Sequence, residues 1–213
     1  MVVLRRITDL QMKKIILSLL LILCVLPATA KFRWGPEFSL NVSNFYWKQK
    51  LIETNQKCGF NAGVKGELMI PGIGFGVDLG LRYNLHGARV NFGEKEVWAV
   101  DGLGDENVWL HTVQIPISLK FKWTRLNGLE SIVAPFAYAG PVFSFTVGSN
   151  DIPAIEKPTG SVAIQCGLGA ELWRHIQISA GYYWGVTYEI QTIKLDNFSA
   201  RPQGWNVNLT YLF

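Results

Sequence analysis

Trp205-Asn206-Val207-Asn208-Leu209-Thr210-Tyr211-Leu212-Phe213 closes the chain in strict alternation. Successive side chains of a strand point to opposite sides. Trp205, Val207, Leu209, Tyr211 and Phe213 therefore share one face, and Asn206, Asn208 and Thr210 the other. A strand with one apolar and one polar face can divide lipid from a polar interior, which is the period-2 signature of an outer-membrane β-barrel. Nothing follows Phe213, so this strand is expected to finish the structure.

Seven earlier segments repeat the pattern. Trp34 to Asn44 sets Trp34, Phe38, Leu40 and Val42 against Glu37, Ser39, Asn41 and Ser43. Cys58 to Ile70 sets Phe60, Val64 and Leu68 against Asn61, Lys65 and Glu67. Ile73 to His86 opposes Val77, Leu79, Leu81 and Tyr83 to Asp78, Arg82, Asn84 and His86. Trp109 to Trp123 opposes Val113, Ile115, Ile117 and Leu119 to Gln114, Ser118, Lys120 and Lys122. Ser161 to Trp173 sets Val162, Ile164, Leu168 and Leu172 against Gln165 and Glu171. Ile176 to Ile190 sets Ile178, Tyr182, Trp184, Val186 and Tyr188 against Gln177, Ser179, Thr187 and Glu189. In Ile132 to Val147 both faces are apolar, and polarity assigns neither.

The connections alternate too. Pro71-Gly72 and Arg174-His175 are tight, the turn around Asn127-Gly128 is moderate, and the other four are long and polar. Short turns on one side and long loops on the other is the asymmetry of bacterial outer-membrane barrels. The expected fold is all-β: an eight-stranded antiparallel up-and-down transmembrane β-barrel with both termini periplasmic. A lipocalin-like barrel also has eight alternating strands, but its apolar face points inward. The placement of Trp34, Trp47, Trp98, Trp109, Trp123, Trp173, Trp184, Trp205 and Tyr211 near strand ends favours interfacial girdles and the membrane.

The N-terminus reads as a signal peptide over residues 1–30. Lys13-Lys14 precede an apolar stretch from Ile15 to Leu26, and Ala28-Thr29-Ala30 offers a cleavage site. Met12 is the expected true start, and Leu23 before Cys24 argues against a lipid anchor there. Arg5, Arg6, Lys13 and Lys14 against Asp9 supply three of the four net positive charges. The basic balance therefore reports export, and no nucleic-acid partner is expected. Residues 31–213 then form one domain. Cys58 and Cys166 fall on the apolar parity, as lipid-facing or rim residues rather than a disulfide framework.

Several segments resemble the PorT-like outer-membrane β-barrel family of Bacteroidetes-type bacteria. Gly35 to Asn44 is similar to that family's opening strand, and Gly80-Leu81-Arg82-Tyr83 with Gly87 to its third. Val113 to Lys122, with Ile115-Pro116, resembles its I-P-x-x-x-K-x-K strand. Ala139-Gly140-Pro141 and Gly167-Leu168-Gly169-Ala170-Glu171 resemble its A-G-P and G-x-G-x-E strands. Glu37 and Phe38 depart from the small residue common in the opening strand. The resemblance implies an outer-membrane barrel and only loosely a role, since one member class supports type IX secretion.

Candidate site residues follow from the inward parity. Glu37, Lys65, Glu67, Asp78, Arg82, Lys120, Lys122 and Glu171 are expected to pair in a barrel-interior polar network, because eight strands enclose just enough space for their own side chains and buried charges demand partners. Tyr211 and Phe213 are expected to form a terminal insertion signal read by the barrel-assembly machinery. His86 and His111 lie near the loop-side ends of their strands, and His175 lies in a turn on the opposite side. No local motif gives either rim histidine a nucleophile, so a barrel-rim lipid-modifying enzyme is the weaker alternative. Asp101 to Asn107 lacks the spacing of a calcium loop, so no metal and no cofactor are expected. The stretch from Asn91 to Trp98 alternates, and could raise the third strand above the membrane and offer an edge to a partner. The functional expectation is a non-enzymatic barrel contacting outer-membrane lipid, with an envelope-assembly, secretion-accessory or structural role and an envelope or secretion protein as partner. The alternative is a surface barrel acting in adhesion or stress through its loops.

Overall fold

The computed structural model describes residues 31–47, 53–70, 72–91, 105–124, 128–150, 155–156, 159–192 and 199–213. The expected signal peptide, Trp98, Asp101 and the stretch from Phe92 to Trp98 lie outside the described residues. Eight long strands form the wall: β1 (Lys31–Trp47), β2 (Glu53–Met69), β3 (Phe75–Asn91), β4 (Asp105–Lys122), β5 (Val133–Ser149), β7 (Gly160–Leu172), β8 (Ile176–Gly185) and β10 (Ser199–Tyr211). Two short strands, β6 (Ile155–Glu156) and β9 (Ile190–Thr192), lie on the long-loop side. Each long strand pairs antiparallel with the next, and β1 pairs with β10 from Glu37↔Thr210 to Trp47↔Ala200, which closes the barrel. Closure removes both sheet edges, the requirement for a sheet in lipid.

The polar parity points in and the apolar parity out. On β3, Val77, Leu79 and Leu81 are exposed while Asp78, Arg82, Asn84 and His86 are buried. Among the described outward positions no charge interrupts the band from Trp34 to Val42 on β1 or from Tyr211 to Trp205 on β10. The ten steps from Trp34 to Asn44, at about 3.3 Å each and a tilt of about 40°, rise about 25 Å, the height of the apolar band of such barrels. Trp34, Tyr211 and Phe213 cluster at its lower margin, with Phe213 5.4 Å from Trp34 and 5.2 Å from Tyr211 between ring centroids. Cys58 and Cys166 are free and exposed on this outer face.

The ambiguous strand resolves by volume rather than polarity. On β5, Phe136 and Tyr138 point inward, and the neighbouring strands present glycines to them. A Cβ on Gly169 would lie 2.5 Å from Phe136 Cζ, one on Gly167 2.6 Å from Tyr138 Cζ, and one on Gly181 2.4 Å from the Tyr138 hydroxyl. Large residues on one strand against none on the next is how a small barrel fills its interior.

Most strands run further toward the long loops than their alternation suggests. β3 extends to Asn91, paired with β4 at Asp105 and with β2 at Glu53. As far as Asn91 both sides of β3 are occupied, so the described part of β3 offers no edge. Where β4 outruns β5, the side chain of Asn150 accepts from the Trp109 backbone N–H at 2.8 Å and donates to the Asn107 carbonyl, completing the ladder's end. On the opposite side, the β7–β8 turn is centred one residue earlier than expected. Trp173 (φ 49°) and Arg174 (φ 64°) both sit in the left-handed region, the geometry of a two-residue hairpin that matches strand twist.

Candidate functional site: the lumen of the barrel

The eight charged residues expected in the interior all point into the lumen, and the structure joins them. Glu67, fully buried on β2, accepts from Lys120 at 2.6 Å, from Lys122 at 3.0 and 3.2 Å, from Gln177 at 2.7 Å, and from Arg33. Glu171 on β7 accepts from Lys122 at 2.6 Å, Arg33 at 2.7 Å and Gln177 at 2.8 Å. Asp78 lies 3.1 Å from Lys65 and 3.0 Å from Lys120. Arg82 stands above them at 3.4 Å from Glu37, and donates to Gln114 at 2.9 Å and Gln165 at 3.4 Å. Lys120 also rests its ammonium 4.2 Å from the centre of the Phe136 ring.

Two members of this layer were not among the expected residues. Arg33 spans Glu67 and Glu171 and donates to the Arg174 carbonyl at 2.5 Å, so it ties the network to the β7–β8 turn. Its parity with Glu37 and Ser39 was available, but its position ahead of Trp34 hid it. Gln177 donates to one carboxylate on each side through the same amide nitrogen. With Arg33 included, five cations meet four carboxylates, and each of the five is held by at least one carboxylate within 4 Å. Unpaired, each would carry a desolvation cost of several kcal/mol.

Above the ionic layer the lumen becomes neutral and then apolar. Asn41 donates to Asn61 and Asn84 at 3.0 Å each. Asn84 sits 2.7 Å from Nδ1 of His86, whose Nε2 is 3.0 Å from Glu189, which also accepts from Ser161 at 3.2 Å. Nearest the long loops, Phe45, Ala88, Val90, Val108, Leu110, Ile190 and Ala200 fill the bore, none more than 2% exposed. This inward apolar layer runs against the alternation of polar inside and apolar outside, which alone does not point to it. Two cavities flank Arg82, each of about 20 Å³, room for a water molecule and little more. Buried oxygens without a partner, Asp78 Oδ1 and Asn208 Oδ1, belong to residues lining the lower one.

The chain matches the outer membrane protein beta-barrel domain over residues 26–191. It belongs to that family. Among solved structures this family member is similar to the outer membrane protein OprG from Pseudomonas aeruginosa, at 12% identity over 85% of this chain and 95% of that one, with a TM-score of 0.51. At that identity the likeness speaks for the fold alone. More distant in shape are Ail, the attachment invasion locus protein of Yersinia pestis (15% identity, 86% and 99% covered, TM-score 0.45), and Neisserial surface protein A (12%, 84% and 97%, 0.43). No curated protein sequence matches this one. The chain is an outer-membrane β-barrel, with membrane lipid against its apolar face.

In this outer-membrane barrel the two rim histidines do not meet. His86 faces the lumen, whereas His111 is on the outer face beside the Tyr83 hydroxyl, with which it hydrogen-bonds. The buried order Ser161–Glu189–His86 puts the carboxylate between hydroxyl and imidazole, so the histidine has no hold on the serine proton. Of the loop from Asp101 to Asn107, only Asp105 to Asn107 are described, and they open β4.

Proposed function

We propose that this protein is a sealed, non-enzymatic barrel that serves an envelope assembly through its surfaces rather than passing solutes through its bore. The observation that carries this reading is the double closure of the lumen, ionic on the short-turn side and apolar on the long-loop side. Among the described residues, the cavities that flank Arg82 hold little more than a water molecule each, which gives a solute no path. An accessory role in secretion, as the PorT-like resemblance implies, is the finer form of the proposal, with an envelope or secretion protein as partner. Adhesion through the long loops is the second reading, and the raised β2–β3–β4 wall favours it, since this wall carries backbone above the membrane.

Two measurements test this. Purified barrel in planar bilayers is expected to leave the baseline free of nanosiemens openings; regular openings would refute the sealed lumen. Affinity purification from outer membranes, with and without residues 92–104, is expected to recover an envelope component that the shortened protein loses. Recovery of cell-surface ligands alone would favour adhesion instead.

The signal peptide over residues 1–30, and Tyr211 with Phe213 as the insertion signal, belong to the same proposal. The Phe213 backbone N–H donates to the Trp34 carbonyl at 2.9 Å, but its ring is 62% exposed, which leaves it available to the barrel-assembly machinery before closure. Deleting Phe213 is expected to cut the assembled fraction in cells severalfold while shifting the urea midpoint of refolded barrel only slightly. Equal losses in both would assign Phe213 a purely structural role.

A further inference from the structure

The outer face carries a cleft that the sealed lumen does not explain. It lies where β1 and β10 close the barrel and is lined by Tyr46, Tyr188, Ser199 and Arg201, with a volume of about 190 Å³. Tyr46 and Arg201 are cross-strand partners, and the Arg201 guanidinium carbon lies 5.1 Å from the centre of the Tyr188 ring. Tyr46 is 61% exposed. Arg201 is exposed and forms no ion pair among the described residues.

Height identifies what meets this cleft. Tyr46 is twelve residues above Trp34 on the same face, about 30 Å at about 3.3 Å per residue and a tilt of about 40°. The apolar band below it ends at Val42 on β1 and Trp205 on β10, and Asn44 and Gln203 are the first polar outward residues. The cleft therefore opens sideways at the far lipid interface. A guanidinium there offers paired donors that match a phosphate, the tyrosine and serine hydroxyls add further donors, and the exposed Tyr46 ring gives a flat face for a sugar. The volume suits a headgroup rather than a drug-sized molecule.

A second pairing repeats the chemistry at similar height. Lys57 holds its ammonium 3.7 Å from the centre of the Trp109 ring, twelve residues above Met69 on β2. Cations with aromatic rings on the lipid side thus recur around the rim, beyond the bottom girdle of plain aromatics.

We propose that the cleft of Tyr46, Tyr188, Ser199 and Arg201 binds the phosphorylated sugar headgroup of an outer-leaflet glycolipid. The assignment rests on outer-membrane placement and not on the envelope-assembly reading. It is tested by native mass spectrometry of the refolded full chain titrated with bisphosphorylated lipid A, with its dephosphorylated form, and with a sulfated oligosaccharide. The bisphosphorylated lipid is expected to remain bound, the dephosphorylated form to bind at least tenfold more weakly, and Arg201→Gln with Tyr46→Ala to lose the preference while still folding, as shown by an unchanged heat-dependent gel shift. Lys57→Gln is expected to reduce it less. Equal retention of the two lipids, or of lipid by wild type and by the double variant, would overturn the proposal. Preference for the sulfated oligosaccharide over lipid would replace the headgroup with a soluble acidic glycan and equally overturn it. If the double variant fails to fold, Arg201→Lys replaces it: weakened retention by this variant supports the bidentate contact, and unchanged retention overturns it.

Discussion

Replacing Glu67 by alanine is expected to lower the unfolding free energy by about 3–5 kcal/mol, the usual cost of removing one partner from a buried ion network. Glu67 has no exposed surface and accepts from Arg33, Lys120, Lys122 and Gln177. Without it, Arg33 and Lys122 keep Glu171, and Lys65 and Lys120 keep Asp78, so two carboxylates must hold four cations. Reversible urea unfolding in lipid vesicles measures the loss. The double variant with Lys120→Met is expected to recover part of it, because the stranded ammonium is gone and an apolar end would lie over the Phe136 ring where the ammonium now sits. A single-variant loss below about 1 kcal/mol would mean that water reaches the layer and screens it.

Gly169→Val is the second large effect. Its Cβ would stand 2.5 Å from Phe136 Cζ and 2.5 Å from the Ile178 carbonyl oxygen, so both a ring and a strand must move. Overpacking a filled interior costs about 1–3 kcal/mol, and the backbone clash puts this case at or above about 3. Phe136→Leu in the same chain is expected to restore only the share owed to the ring. Heat-dependent gel mobility and the urea midpoint report both steps. Full rescue would show that the carbonyl yields easily; no rescue would show that the ring was never the obstacle.

These two sites also mark where the sequence was readable and where it was not. Glu67 was visible because a charge on the polar parity of a strand between Phe60 and Leu68 has only the lumen to enter. Gly169 was visible as part of a motif, but its purpose was not, since nothing in β7 says that β5 faces it with Phe136. For the same reason the faces of β5 could not be assigned: Phe136 and Phe143 are equally apolar, and only the space left by Gly167, Gly169 and Gly181 selects one of them. Arg33 escaped because it lies one residue ahead of the segment that opens at Trp34, although it obeys the parity. Val90 and Val108 lie beyond the membrane-length segments, where the rule of polar inside and apolar outside ceases to apply, and Leu110 breaks that rule just inside the end of its segment. Above the bilayer the wall is flanked by water, so an apolar filling becomes the stable interior again.

The network's connectivity bears on how the chain enters the membrane. Lys122 on β4 reaches Glu171 on β7, Arg33 on β1 reaches the same carboxylate, and Gln177 on β8 reaches Glu67 on β2. None of these bonds exists within a hairpin, so they form only when opposite walls face each other. A half-inserted sheet would expose unmatched charges to lipid at several kcal/mol apiece. Stepwise insertion, hairpin by hairpin, is therefore disfavoured, and the last seam and the charge layer should appear in a single kinetic phase.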